Sequence, residues 1–328
     1  MGKIRPLRNR VIGSHFCALA TLVIFITPLA EASPLCKAWE MPTEIGKLDT
    51  KLLDEASGMA LSRTSPRLYL INDSGSGPSF IVNSRDGAGA KKITINGFKP
   101  FDTEDLALGP CPVGEQATCL IVGDIGDNRR KRKTVELVFI QERAEFGAAV
   151  DPVAKFEARY PDGAHNAEAL GSMPNGDLVI VTKEEDKKKE VSLPAQVFRL
   201  SKREIEGAIT AKKVATLERL GEIDVPTITK NKSFGGLVTG MSVSQDGTRW
   251  LLLTYENAIE VVVDPKFDPA SKKPVAIEHK LVPLKVLPQQ ESITYETNDR
   301  DFLYTTELMR GLFASTKDAP VMGAKCKE

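Results

Sequence analysis

The sequence predicts an all-β chain folded as one β-propeller of five four-stranded blades. Three observations carry this. Five hairpins recur in one register, two further strand-like runs follow most of them, and the last unit lacks a strand that the start of the chain could supply.

Before the first hairpin, Lys3, Arg5, Arg8 and Arg10 precede an apolar run from Phe16 to Ile26, and Ala30-Glu31-Ala32 offers small residues after it. This order predicts an export signal over residues 1–32, cleaved after Ala32. The run is shorter than the roughly 20 residues of a membrane-spanning helix. No later stretch is apolar enough to span a bilayer, so residues 33–328 are expected to form one exported domain, periplasmic or extracellular, and a monomer.

The hairpins open at Ser57-Gly-Met-Ala, Glu104-Asp-Leu-Ala, Glu168-Ala-Leu-Gly, Thr239-Gly-Met-Ser and Glu291-Ser-Ile-Thr. Turn residues follow in most, as in Pro174-Asn175-Gly176-Asp177 and Gln245-Asp246-Gly247, where Asn-Gly and Asp-Gly accept positive φ. Each hairpin then has an apolar strand: Leu68–Ile71, Leu120–Val122, Leu178–Val181, Trp250–Leu253 and Phe302–Tyr304. These end at Asp73, Asp124, Lys183, Tyr255 and Glu307, at offsets of 16, 20, 15, 16 and 16 from the repeat's first residue. Further strands are expected at Phe80–Asn83 and Lys92–Asn96, Val135–Ile140 and Lys155–Tyr160, Gln196–Leu200 and Val214–Leu220, and Ile259–Val263 and Ala276–Leu281. Ser201-Lys-Arg-Glu204 has the form of a capping box and predicts a short helix in blade three. In the fifth unit Gly311–Ser315 is the candidate third strand, and the region Trp39–Leu48 is the candidate outer strand that closes the ring. A sixth blade between 184 and 237 is the alternative count.

With Cys17 removed in the leader, four cysteines remain, and an even number in an oxidising compartment implies two disulfides. Three pairings are possible. Cys111 and Cys119 flank the one overlong hairpin turn, and Cys36 and Cys326 flank the expected ring closure, so these two pairs are preferred.

The 44 basic and 44 acidic residues balance, which argues against nucleic-acid binding by bulk charge. Three histidines exclude a His-rich metal site. No GxSxG, HExxH, P-loop or GxGxxG is present, so serine-hydrolase, zincin and nucleotide-dependent chemistry have no support.

A blade's inner strand starts at the face to which its second strand returns, so Glu104, Glu168 and Glu291 should meet Asp73, Asp124 and Glu307 at one tunnel mouth. Converging carboxylates need neutralising by protons, by Lys or Arg, or by a cation. Oxygen donors in irregular geometry suit Ca2+. Asp127, in the loop Gly123-Asp-Ile-Gly-Asp-Asn128, is a further candidate ligand. Asn128, Arg129, Arg130 and Lys183 are candidates for anion or substrate binding, and Glu168 and His165 for acid–base work.

The series Ser57-Gly-Met-Ala…Asn72-Asp-Ser-Gly, Glu104-Asp-Leu-Ala…Gly123-Asp-Ile-Gly-Asp-Asn, Ala167-Glu-Ala-Leu and Gln290-Glu-Ser-Ile resembles a group of exported bacterial β-propeller proteins over most of residues 54–307. It is similar in architecture to the phytase-like and calcium-dependent lactonase propellers, whose ligand sets do not match here residue by residue. The resemblance implies a propeller of the cell exterior. Two functions follow as expectations: a binding or scaffold protein for a small molecule or envelope partner, with Ca2+ at the acidic mouth, or a Ca2+-dependent hydrolase of phosphoesters or lactones.

Overall fold

The computed structural model describes residues 1–2, 34–73, 77–114, 117–264, 274–308 and 316–327. The expected leader, the Ser74-Gly75 end of the blade-one loop and the Gly311–Ser315 strand lie outside the described residues. Chain contacts divide the molecule into Met1–Glu31 and Ala32–Glu328, and every described strand lies in the second unit.

Five antiparallel sheets succeed one another along the chain. From the inner strand outward, blade one is Ala56–Leu61, Arg67–Asn72, Ser79–Ser84 and Lys91–Ile95. Blade two is Asp105–Pro110, Thr118–Asp124, Val135–Gln141 and Ala154–Arg159. Blade three is Ala167–Ser172, Leu178–Thr182, Ala195–Leu200 and Glu218–Ile223. Blade four is Val238–Val243, Arg249–Thr254, Ala258–Val263 and Ala276–Val282. Blade five is Gln290–Tyr295, Phe302–Thr306, Pro320–Ala324 and, from the other end of the chain, Thr43–Lys47. The five inner strands neighbour one another in sequence order, and the fifth returns to the first. This is a five-bladed β-propeller.

The second strand of each blade lies between two others and faces a neighbouring blade on both sides. It is therefore a continuous apolar run rather than an alternating one, and all six residues of Arg249–Thr254 are buried. Inner strands approach so closely that a Cβ on Gly58 would sit 2.6 Å from the Asp105 Cα, which is why that position is glycine.

Ring closure follows the expected route. Thr43 faces Gly323 and Lys47 faces Pro320, while Ala38–Trp39 pairs with Cys326–Lys327. The disulfides Cys36–Cys326 and Cys111–Cys119 both form. Helix Lys202–Ala211 starts at Ser201, whose side chain accepts from the Glu204 N–H at 3.2 Å.

Three expectations are corrected. The outer strand of blade three is Glu218–Ile223, not Val214–Leu220, because Ala215–Thr216 instead pairs in parallel with the outer strand of blade two. Ala149–Val150 does the same for blade one. The third strand of blade five is Pro320–Ala324, in register with Phe302–Tyr304 and immediately ahead of Cys326. Residues 184–237 build no sixth sheet among the described residues. They supply the hairpin Glu185–Asp186 and Val191–Ser192, two strands of blade three, and helices Lys202–Ala211 and Val225–Thr229. No helix of the described residues is long and apolar enough to cross a membrane.

Candidate functional site

The first residue of each repeat sits where the inner strand breaks register. Ser57, Glu168, Thr239 and Glu291 are the extra residues of β-bulges against their second strands. In blade two the Glu104 N–H donates to the Gly123 carbonyl at 3.0 Å, the residue that Asp105 also faces. A bulge re-aims one side chain off the strand's alternation. Repeated around the ring, it collects three glutamates at one end of the tunnel.

Glu104, Glu168 and Glu291 are 3%, 4% and 6% exposed. Ser57 donates its hydroxyl to Glu104 at 3.5 Å. Lys183, nearly buried, donates to Glu168 at 2.5 Å and to the Tyr255 hydroxyl at 2.6 Å, with its ammonium 4.6 Å from the centre of that ring. Tyr255 donates in turn to Glu291 at 3.1 Å. One lysine therefore serves two glutamates, directly and through a phenol. The second oxygen of Glu168 is buried with no hydrogen-bond partner among the described residues. On the other side of Glu104, Asp73 and Asp102 each bring a carboxylate oxygen within 4.8 Å of it and of each other.

The electrostatics follow from the surplus of acids. Burial, then the charges of Glu168, Asp73, Asp102 and Glu291, hold the Glu104 carboxyl well above the usual carboxylate range. Burial, then Glu168 and Glu307, does the same to Glu291. Glu168 is also raised by burial, against the pull of Lys183. Burial works against the charged form of Lys183, but Glu168 and Glu291 outweigh it and hold the ammonium above its ordinary value. Tyr255 is pushed up by burial and by both glutamates, so it remains a donor.

Directly beneath lies Asp105, 1% exposed. Its carboxylate accepts from Leu106 N–H at 2.7 Å, from Leu170 N–H of blade three at 2.8 Å and from Met241 N–H of blade four at 3.4 Å. It spans the tunnel axis. Burial raises its carboxyl well above the ordinary range despite these three donors.

Several expected participants have other work. Asp124 accepts from the N–H groups of Phe101 at 3.2 Å and Asp102 at 2.7 Å, and from both arms of Arg132 at 3.1 Å. Asp127 accepts from the N–H groups of Lys131 at 2.5 Å and Arg132 at 2.6 Å. Both carboxylates hold the fold of this loop through these bonds. His165 has one ring nitrogen 2.7 Å from Glu184 and the other 3.0 Å from Asp162, and it packs against Tyr160 and Phe198. Both nitrogens are held, and the two carboxylates raise its pKa against burial, so a free general base at the mouth is not what the geometry provides. Arg130 pairs with Glu184 at 2.9 Å instead of facing the mouth, while Arg129 and Asn128 line an outer cleft. Glu307 accepts from Gln289 at 2.8 Å, and burial raises its pKa. Two participants escaped the sequence reading. Tyr255 was the returning end of blade four, and its position was the signal. Asp102 lies two residues before its repeat and outside the periodicity.

No family model matches this chain, and no curated protein matches it. Among solved structures, a luciferin-regenerating enzyme is similar at 10% identity over 87% of this chain and 94% of that one, with a TM-score of 0.44. A chain of the nidogen/laminin complex is similar at 13% identity over 76% of this chain and 72% of that one, with a TM-score of 0.43. Both likenesses are remote, and the assignment of the fold rests on the five sheets themselves.

Proposed function

We propose that this propeller is a binding protein of the cell exterior whose acidic mouth holds a hard cation, Ca2+ first among them. The observation that carries the reading is the crowding of buried acids: Glu104, Glu168 and Glu291 share the mouth with Lys183, Asp73 and Asp102 bring further carboxylate oxygens close to Glu104, and one buried Glu168 oxygen has no partner among the described residues. Asp73, Asp102 and Glu104 would be the ligands, since all three offer hard oxygen donors and an ion there would lower the cost of ionising Glu104. Export is supported by the basic and apolar order of residues 3–26 and by two disulfides, which persist in oxidising compartments.

Melting curves with Ca2+ and with chelator test the reading. Wild type should melt higher with Ca2+, and Glu104→Gln should lose most of that rise. A wild type indifferent to Ca2+, with a Gln variant more stable than the parent, removes the ion. A phosphoester and lactone screen on the same samples tests the second reading, a Ca2+-dependent hydrolase. That reading is favoured by Lys183 and Tyr255, two proton-bearing groups beside the acids. Chelator-sensitive turnover would establish it.

A further inference from the structure

We propose that the face carrying the acidic mouth docks on an anionic phospholipid surface through loops of blades two, three and four. The first loop holds the run Arg129–Lys133, and it is ordered rather than loose. Asp127 caps it, Arg132 turns inward to Asp124, and Arg130, at φ 50°, pairs with Glu184. Arg129, Lys131 and Lys133 are left exposed, with no ion pair among the described residues. The hairpin at 185–192 is tied to this loop by Lys187, which donates to the Asn128 carbonyl at 2.9 Å, and it adds Lys188. A third loop is tied to that hairpin by Ser192 N–H, 3.0 Å from the Lys232 carbonyl, and it adds exposed Lys230 and Lys232. Two clefts of about 430 and 350 Å³ between these loops share Glu185 and Lys187, so the loops form one continuous surface.

In the hairpin Lys187 pairs with Glu185 and Lys189 with Asp186, and Glu190 is exposed, so the basic groups of this surface that are unpaired among the described residues are Lys188 and those of the first and third loops, and alone they would suit any polyanion. The apolar side chains on the same surface decide between the candidates. Phe101 is 66% exposed with Arg132 4.9 Å over its ring, Phe234 is 62% exposed against Tyr255, and Leu193 is 40% exposed. They are costly in water and find no apolar partner on a soluble polyanion that carries no bases. At a bilayer, basic groups meet anionic headgroups while phenylalanine and leucine enter the headgroup boundary. The proposal does not depend on an ion in the mouth.

Co-sedimentation of the full chain with vesicles tests it. Phosphatidylcholine vesicles report whatever the apolar run at 16–26 contributes. Vesicles of equal parts phosphatidylcholine and phosphatidylglycerol should bind more protein, and salt should reverse the excess. Each Lys or Arg near such a surface is worth roughly fivefold in partition, so Lys131→Gln with Lys188→Gln should lower the excess roughly twenty-five-fold. Phe101→Ser with Leu193→Ser should also lower it, and unchanged melting curves would show that both variants fold. Equal binding to the two vesicle types, or both variants binding like wild type, overturns the proposal. So does loss of binding in the lysine variant with none in the Phe101 and Leu193 variant, which would assign the surface to a soluble polyanion.

Discussion

Two of the buried ionic clusters among the described residues are built on different principles. At the blade four to five junction, Arg249 and Glu260 are 2% and 0% exposed and stand 2.7 Å apart. Glu260 also accepts from the Tyr295 hydroxyl at 2.9 Å and from Cys36 N–H at 3.0 Å, while Arg249 reaches the Asp299 carbonyl at 2.5 Å. One charge meets one charge and both Glu260 oxygens are used, although the Arg249 Nε is buried without a partner among the described residues, and the cluster ties the N-terminal strap to two blades. At the mouth, Lys183 faces three glutamates, and a buried oxygen is left over. A matched pair holds a fold together, whereas an unmatched one is tolerated where a proton or a ligand completes it.

The largest expected effect comes from breaking the closure beside the matched cluster. Cys36→Ser with Cys326→Ser opens a loop of sequence separation 290, worth about 5–6 kcal/mol by chain entropy, against about 2.5 kcal/mol for the eight-residue separation of Cys111 and Cys119. Urea titrations of the two double variants should rank them in that order, and equal losses would deny the closure any special role. Next, Arg249→Met strands Glu260 and should cost about 3–5 kcal/mol, with part recovered by adding Glu260→Gln. At the mouth the same kind of change should be milder. Lys183→Met leaves Glu168 free to take a proton, so the loss should be about 1–3 kcal/mol, and the stabilisation by Ca2+ should grow. For wild type that stabilisation is roughly 2.7 kcal/mol at a hundredfold excess of ion over Kd. A Lys183→Met variant as costly as Arg249→Met would erase the distinction between the clusters.

The smallest effect is with pH. The folded values of Glu104 and Glu291 are raised, so the folded state holds protons that the unfolded chain releases near pH ~4.3. Without metal, their contribution is fully present below that value and is lost as pH rises through the folded values. Calorimetry in chelator should show stability falling from mildly acidic to neutral pH, and Glu104→Gln should flatten the slope. A slope of the opposite sign would mean that these carboxylates are already compensated.

The sequence carried the architecture because every hairpin repeats one solution to one packing problem. Apolar second strands and turn residues at fixed offsets are read without knowing any neighbour. The pairing of Cys36 with Cys326 followed from the incomplete fifth unit for the same reason. Val214–Leu220 was misplaced because its first residues are taken by a neighbouring blade, a choice made by tertiary packing. The partners of Asp124 and Asp127 are backbone N–H groups and an arginine close in sequence, none of which composition reveals. The bulges that turn Glu168 and Glu291 inward cost one unpaired residue each, and they leave no mark on hydropathy.

Asp105 has a consequence for how the ring is tied together. Its carboxylate is bonded to three inner strands across the axis, and the space beyond it narrows to a cavity of about 30 Å³ lined by Met59, Leu106, Leu170 and Met241. The Asp105 carboxylate thus ties three blades together below the glutamates, with an apolar lining beyond it. A broad cleft of about 680 Å³ lies beside Cys111 and Pro174, and none of the mouth's glutamates lines it. Each site is free to acquire its own specificity without disturbing the other.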